Sequence, residues 1–198
     1  MITLTTAQTA FFTQNGYLEL EGLFTPEECE EYRPLCRPGR DNWRRESALR
    51  KLLVSRQMAH IVCQVTRKDA VRLAGDQWFE AGFSLPKPEK WKDFFSIQGL
   101  LLALFIQWDS GSYELPAKMS KLGVSPYPHG QGNAVLVGPN LLLNWPASNQ
   151  GLYLAFYSVP SAVYVNNPKD PAATALKKLG YGYGDLLRNE THPLLTKP

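Results

Sequence analysis

The sequence predicts one α+β domain with a β-sandwich core, and three observations carry that expectation. The N-terminal third contains helix start signals and apolar residues at helical spacing. The stretch 94–165 contains apolar runs of four to eight residues bounded by Gly, Pro and Asn. Runs of that length and punctuation suit strands better than helices. Residues 172–179 return to helix formers. Helices, a β-rich middle and a final helix make the α+β order. A chain of 198 residues lies within the range of one domain, about 100–200 residues, so a single domain over 1–198 is expected.

Taken in order, residues 6–15 read as a short amphipathic helix. Ala7, Ala10, Phe11 and Gln14 lie at helical spacing, and Gly16 follows as the stop. Tyr17-Leu18-Glu19-Leu20 alternates as a strand does. Thr25-Pro26-Glu27-Glu28 starts a second helix: Thr25 caps the free amides, Pro26 suits the first turn, and Glu28 completes a capping box. That helix ends near Pro34. Leu49, Leu52, Leu53, His60, Ile61 and Val65 predict one or two helices with a break near Ser55. Residues 71–79 predict a strand, and 84–88 a loop punctuated by Pro86 and Pro88. The stretch 94–108 is one bent strand or two, with Gly99 at the break. Ala134-Val135-Leu136-Val137 is a short strand, and 152–159 and 162–165 are two more divided by Pro160. Asp170-Pro171 opens a last helix that Gly180 stops.

Hydrophobic residues make up 44% and charged residues 20% of the chain, which argues against a disordered or fibrous chain. The longest apolar run, 99–106, falls far short of the roughly 20 residues a membrane-spanning helix needs, so no membrane partner is expected. No basic cluster followed by an apolar core opens the chain. Cys29, Cys36 and Cys63 form no CxxC pair. The expectation is a cytoplasmic protein with reduced, partly buried thiols. The net charge of +3 conceals segregation: residues 1–32 hold six acids and no Lys or Arg, whereas 33–72 hold eleven basic residues against three acids. Such a block can attract an acidic partner. No nucleic-acid module accompanies it, so nucleic acid is not expected.

Two stretches are more specific. The run Phe11-Phe12-Thr13-Gln14-Asn15-Gly16-Tyr17 leading to Thr25-Pro26-Glu27-Glu28 resembles the N-terminus of the phytanoyl-CoA dioxygenase family. Leu179-Gly180-Tyr181-Gly182-Tyr183-Gly184-Asp185, followed by His192-Pro193-Leu194-Leu195, resembles the tail of its bacterial members. The resemblance implies a double-stranded β-helix, a jelly roll related to the cupins, buttressed by N-terminal and C-terminal helices. It also implies Fe(II) held by a His-x-Asp pair and a distant His, with 2-oxoglutarate as cosubstrate.

The residues depart from that chemistry. In Phe105-Ile106-Gln107-Trp108-Asp109 the Asp stands in place, but Gln107 occupies the position of the first His. An amide oxygen is a poor substitute for imidazole on a first-row metal. The distal His position falls on Leu143 or Asn144, and no Arg or Lys lies within 151–159 to clamp the cosubstrate. Of the three histidines, His60, His129 and His192, only His129 lies in a loop able to approach Asp109. Asp109 and His129 are therefore the candidate metal pair, with a turn-capping role as the alternative for Asp109. Cys63 reads as a buried thiol. Asp76 and Glu80 offer carboxylates that no spacing marks as a pair. Trp108, Tyr113, Tyr127, Trp145, Tyr153 and Phe156 are core and rim, or line a surviving pocket.

The leading expectation is thus a non-catalytic member of the fold that binds a small molecule or a protein partner, with no cofactor. The alternatives are a divergent dioxygenase using Fe(II) and 2-oxoglutarate through Asp109, and an interaction protein using its basic 33–72 block.

Overall fold

The computed structural model describes residues 2–83, 89–110, 127–143, 150–170 and 172–198. Helix α1 (Thr6–Asn15) carries a capping box between Thr5 and Gln8 and ends at Gly16. Its apolar face is not the expected one. Ala7, Ala10, Phe11 and Gln14 are all exposed, and Phe12 instead packs partly against the core. The helix is set by its caps more than by an apolar stripe. Strand β1 (Tyr17–Leu20) follows. Helix α2 (Pro26–Tyr32) starts at the Thr25/Glu28 capping box and runs into a 3-10 turn, Arg33–Leu35. The short strand β2 (Gly39–Arg40) and helix α3 (Asn42–Arg45) come next. Helices α4 (Ser47–Leu53) and α5 (Arg56–Thr66) are separated at Ser55, whose hydroxyl caps α5 through Met58 N.

The strands that follow are β3 (Ala70–Phe79), β4 (Glu89–Lys90), β5 (Ile97–Ile106), β6 (Ala134–Val137) and β7 (Leu142–Leu143). They are joined by β8 (Leu152–Tyr164), the four-residue helix α6 (Ala175–Lys178) and β9 (Leu194–Thr196). The main sheet has the order β1-β6-β5-β8-β3-β2, with β9 sharing the β3 edge with β2, and all its pairings are antiparallel. The second sheet is the β4-β7 pair. Among the described residues, no helix is long and apolar enough to cross a membrane.

Both faces of the main sheet are buried, which explains why β5 and β8 read as continuous apolar runs instead of alternating ones. Leu102, Leu104, Ile106, Tyr153, Ala155 and Tyr157 face the helical layer with Trp43, Leu49, Leu53 and Ile61. Ala103, Phe105, Leu152, Leu154 and Phe156 face Trp91, Phe95, Tyr127 and Tyr181.

Two sequence expectations need correction. Pro160 does not divide two strands, because β8 runs through it. The β5 register passes from Leu100↔Ser158 to Gln98↔Val163, so residues 159–162 bulge opposite Gly99. Pro160 has no ladder hydrogen bond to make there. Gly99 has φ +99°, and a Cβ would stand 2.8 Å from Val159 Cγ2, so the bulge needs glycine. The C-terminal helix is also shorter than 172–179. Only Leu176 of α6 is buried, too little apolar contact to hold more than one turn. The 84–88 loop, Tyr113, Trp145 and Pro171 lie outside the described residues.

Candidate functional site

Strand β5 ends at Ile106, but its backbone pairing continues for one residue. Gln107 N donates to Asn133 O at 3.1 Å, and Gly132 N donates to Gln107 O at 2.9 Å. This anchors Gln107-Trp108-Asp109 at the mouth of the sheet. Trp108 turns into the helical side of the core against Phe24, Tyr32 and Tyr153. Gln107 is fully buried, and its amide nitrogen donates to Asp109 O at 3.2 Å and to Gln150 Oε1.

Asp109 does not stand free, and the 109–112 turn it would cap lies partly outside the described residues. Its Oδ1 accepts from Arg33 Nε at 2.7 Å, a partner 76 positions earlier in the 3-10 turn after α2. The Arg33 Cζ lies 4.4 Å from the Trp78 ring centroid. Trp78 in turn lies flush on Gly151, where an added Cβ would stand 2.0 Å from Trp78 Cζ2. These groups line a cleft of about 670 Å³ together with Glu80, Ser110 and Gln150.

His129 is exposed, and it lines a separate hollow of about 40 Å³ beside Glu19 and Glu21. The two candidate metal ligands thus face different hollows. His60 is half-buried on α5, its Nε2 3.4 Å from the Thr3 hydroxyl. His192 is buried, with Nδ1 3.0 Å from the Tyr181 hydroxyl and Nε2 3.0 Å from Arg44 Nη2. Burial, then the Arg44, Arg72 and Arg188 charges, push its pKa down to about 3, which keeps the ring neutral. At the distal position Leu143 is buried in β7, and Asn144 lies outside the described residues.

Among the described residues, no three His, Cys, Asp or Glu side chains are placed to hold a metal ion. Among the described residues the donors at Asp109 fall short of the set Fe(II) takes: the carboxylate is engaged by a guanidinium, and no imidazole stands beside it. Nor does the described lining fit a dianionic cosubstrate. Arg33 is its one cation, against Asp109 and Glu80.

A second polar centre had no signal in the sequence beyond an aspartate inside an apolar strand. Asp76 on β3 is fully buried. Its Oδ2 accepts from Trp43 N at 2.8 Å and from the Tyr153 hydroxyl, while Oδ1 has no partner. Burial pushes its pKa up to about 6, opposed by the hydrogen bonds from Tyr153 and Trp43. Cys36 close by is pushed up to about 12 by burial and then by the Asp76 charge. All three cysteines are buried thiols, and none has the depressed pKa of a nucleophile.

The basic block divides in two. Arg40 makes a buried pair with Asp170 at 2.8 Å, and Arg33, Arg37 and Arg44 also pair with acids. Arg72 is buried on Asn189 Oδ1 and the His192 carbonyl. Arg45, Arg50, Lys51 and Arg56 are exposed. Arg40, Arg44 and Arg72 are therefore internal bracing, whereas Arg33 and Arg37 pair with acids at the surface.

The sequence matches no protein-family model and no curated protein. Solved structures do match. The non-heme alpha ketoglutarate dependent carbocyclase SnoK from nogalamycin biosynthesis aligns over 98% of this chain and 97% of its own, at 15% identity and TM-score 0.70. The alpha ketoglutarate dependent epimerase SnoN from the same biosynthesis aligns over 97% and 96%, at 16% identity and TM-score 0.73. CytC3 with Fe(II) and alpha-ketoglutarate aligns over 84% and 80%, at 14% identity and TM-score 0.60. At such identities the likeness is one of fold: a mixed helical and antiparallel-sheet fold shared with non-heme iron, alpha-ketoglutarate-dependent enzymes.

Proposed function

We propose that this chain is a non-catalytic relative of the phytanoyl-CoA dioxygenase type, with a jelly-roll core, a degenerate metal site and a cleft that binds a small molecule. The observation that carries the reading is the Arg33–Asp109 ion pair. The carboxylate expected to hold iron is instead 2.7 Å from a guanidinium, which supplies the compensating positive charge that a metal would bring. Gln107 in place of an imidazole, and the absence of Arg or Lys from β8, point the same way. Fold alone does not fix function, so the reading rests on the residues of the site.

A divergent dioxygenase is the second reading, favoured by neighbours such as CytC3, whose structure holds Fe(II) and alpha-ketoglutarate. Supplying Fe(II), 2-oxoglutarate and oxygen and following succinate separates the two. The expected result is no succinate above the protein-free background. Turnover that Asp109→Ala abolishes would establish the dioxygenase instead.

A further inference from the structure

Resting on the iron-free reading of this cleft, we propose that it takes a small hydroxylated monocarboxylate, whose carboxylate seats on the outer edge of the Arg33 guanidinium. Among the described residues, Arg33 touches protein acceptors through one of its three nitrogens. Nε is held on Asp109 Oδ1 at 2.7 Å, and Cζ lies 4.4 Å from the Trp78 ring centroid. Among the described residues nothing accepts from Nη1 or Nη2. The fork of a guanidinium is rigid and planar, so fixing Nε against one carboxylate and the plane against an indole also orients the terminal N–H groups. Two such groups side by side match both oxygens of a carboxylate. The Arg33 side chain is 40% exposed, so a ligand reaches it from solvent, while Trp78 beneath it is buried.

The rest of the lining chooses the rest of the ligand. Glu80 and Ser110 are exposed, and their side chains have no partner among the described residues. Glu80 accepts hydroxyl protons, and Ser110 both donates and accepts. An apolar ligand would strip water from Glu80 without replacing its hydrogen bonds. A second negative charge on the ligand would meet Asp109 and Glu80 with Arg33 already occupied. One carboxylate and several hydroxyls satisfy all three groups.

The test uses the full chain, kept metal-free with a chelator, and gluconate as probe. The readouts are the NMR signal of the Arg33 Nε–H and the calorimetric affinity. A saturable shift is expected with gluconate, a weaker one with the dianion glucarate, and none with neutral glucose. Arg33→Lys keeps charge and stem but loses the fork, and weakens binding about tenfold. Asp109→Asn keeps an acceptor for Nε, removes a neighbouring negative charge and tightens binding a few-fold. No saturable gluconate shift, equal affinity for glucarate, or unchanged affinity in Arg33→Lys would overturn the proposal. These results leave the succinate assay untouched, so the two failures are told apart. Gluconate binding that needs added Fe(II), or that Asp109→Asn abolishes, would overturn both.

Discussion

Replacing Asp76 by asparagine is expected to make stability rise more steeply with pH than it does in the parent protein. In the fold the Asp76 carboxyl ionises at about 6 against its ordinary 3.8, chiefly because of burial. Between those values the folded state holds a proton that the unfolded chain has released. Stability from this group is therefore fully present below about 3.8 and lost as pH rises through about 6. At about 1.4 kcal/mol for each unit of displacement, the loss is about 3 kcal/mol. His192 works the other way. Its pKa is about 3 in the fold against 6.5 ordinarily, so its contribution is present above about 6.5 and lost as pH falls toward 3, by up to about 5 kcal/mol. From pH 4 to 6 the two slopes oppose each other and nearly cancel. Asp76→Asn removes only the first, because asparagine is neutral at every pH and its oxygen still accepts from Trp43 N. The assay is urea denaturation of both proteins at half-unit steps from pH 4 to 7, read as the difference between them so that other carboxylates drop out. The variant should gain about 3 kcal/mol relative to the parent across that range. A difference independent of pH would refute the reasoning.

Two further outcomes follow from the packing. Arg40→Ala leaves Asp170 buried without its cation, although Ser96 N and Ala172 N still donate to it, and should cost about 3–5 kcal/mol in chemical denaturation. Gly151→Ala drives a methyl into Trp78, 2.0 Å from Cζ2. It should cost about 1–3 kcal/mol and shift Trp78 fluorescence, because the indole that backs Arg33 must move.

The helix starts were legible because capping is local. Thr25 and Glu28 are three residues apart, and the box they form needs nothing from elsewhere in the chain. The 134–137 strand was legible for a similar reason, as an apolar run between glycines. Helix α1 was legible as a helix but not in its orientation, since Phe11 and Phe12 are equally apolar and only the neighbouring core selects Phe12. The continuity of strand β8 through Pro160 is not legible in the sequence, because the harm a proline does depends on whether its position needs a ladder hydrogen bond, and register decides that. At the site, the missing histidines were plain in the sequence. Arg33 was not, since it looked like one charge among eleven and its partner lies 76 residues away.

The sequence by itself determined where helices begin, which runs become strands, and that Asp109 stands without the imidazoles its resemblance called for. Those are matters of local hydrogen bonding, side-chain period and residue identity. Only the tertiary structure decided which charges become structural, which aspartate is buried, and that a guanidinium rests on Asp109. Such choices depend on distance and desolvation between segments far apart in the chain. A carboxylate's chemistry is set by what surrounds it in space, and neither Asp76 nor Asp109 carries that information in its neighbours along the chain.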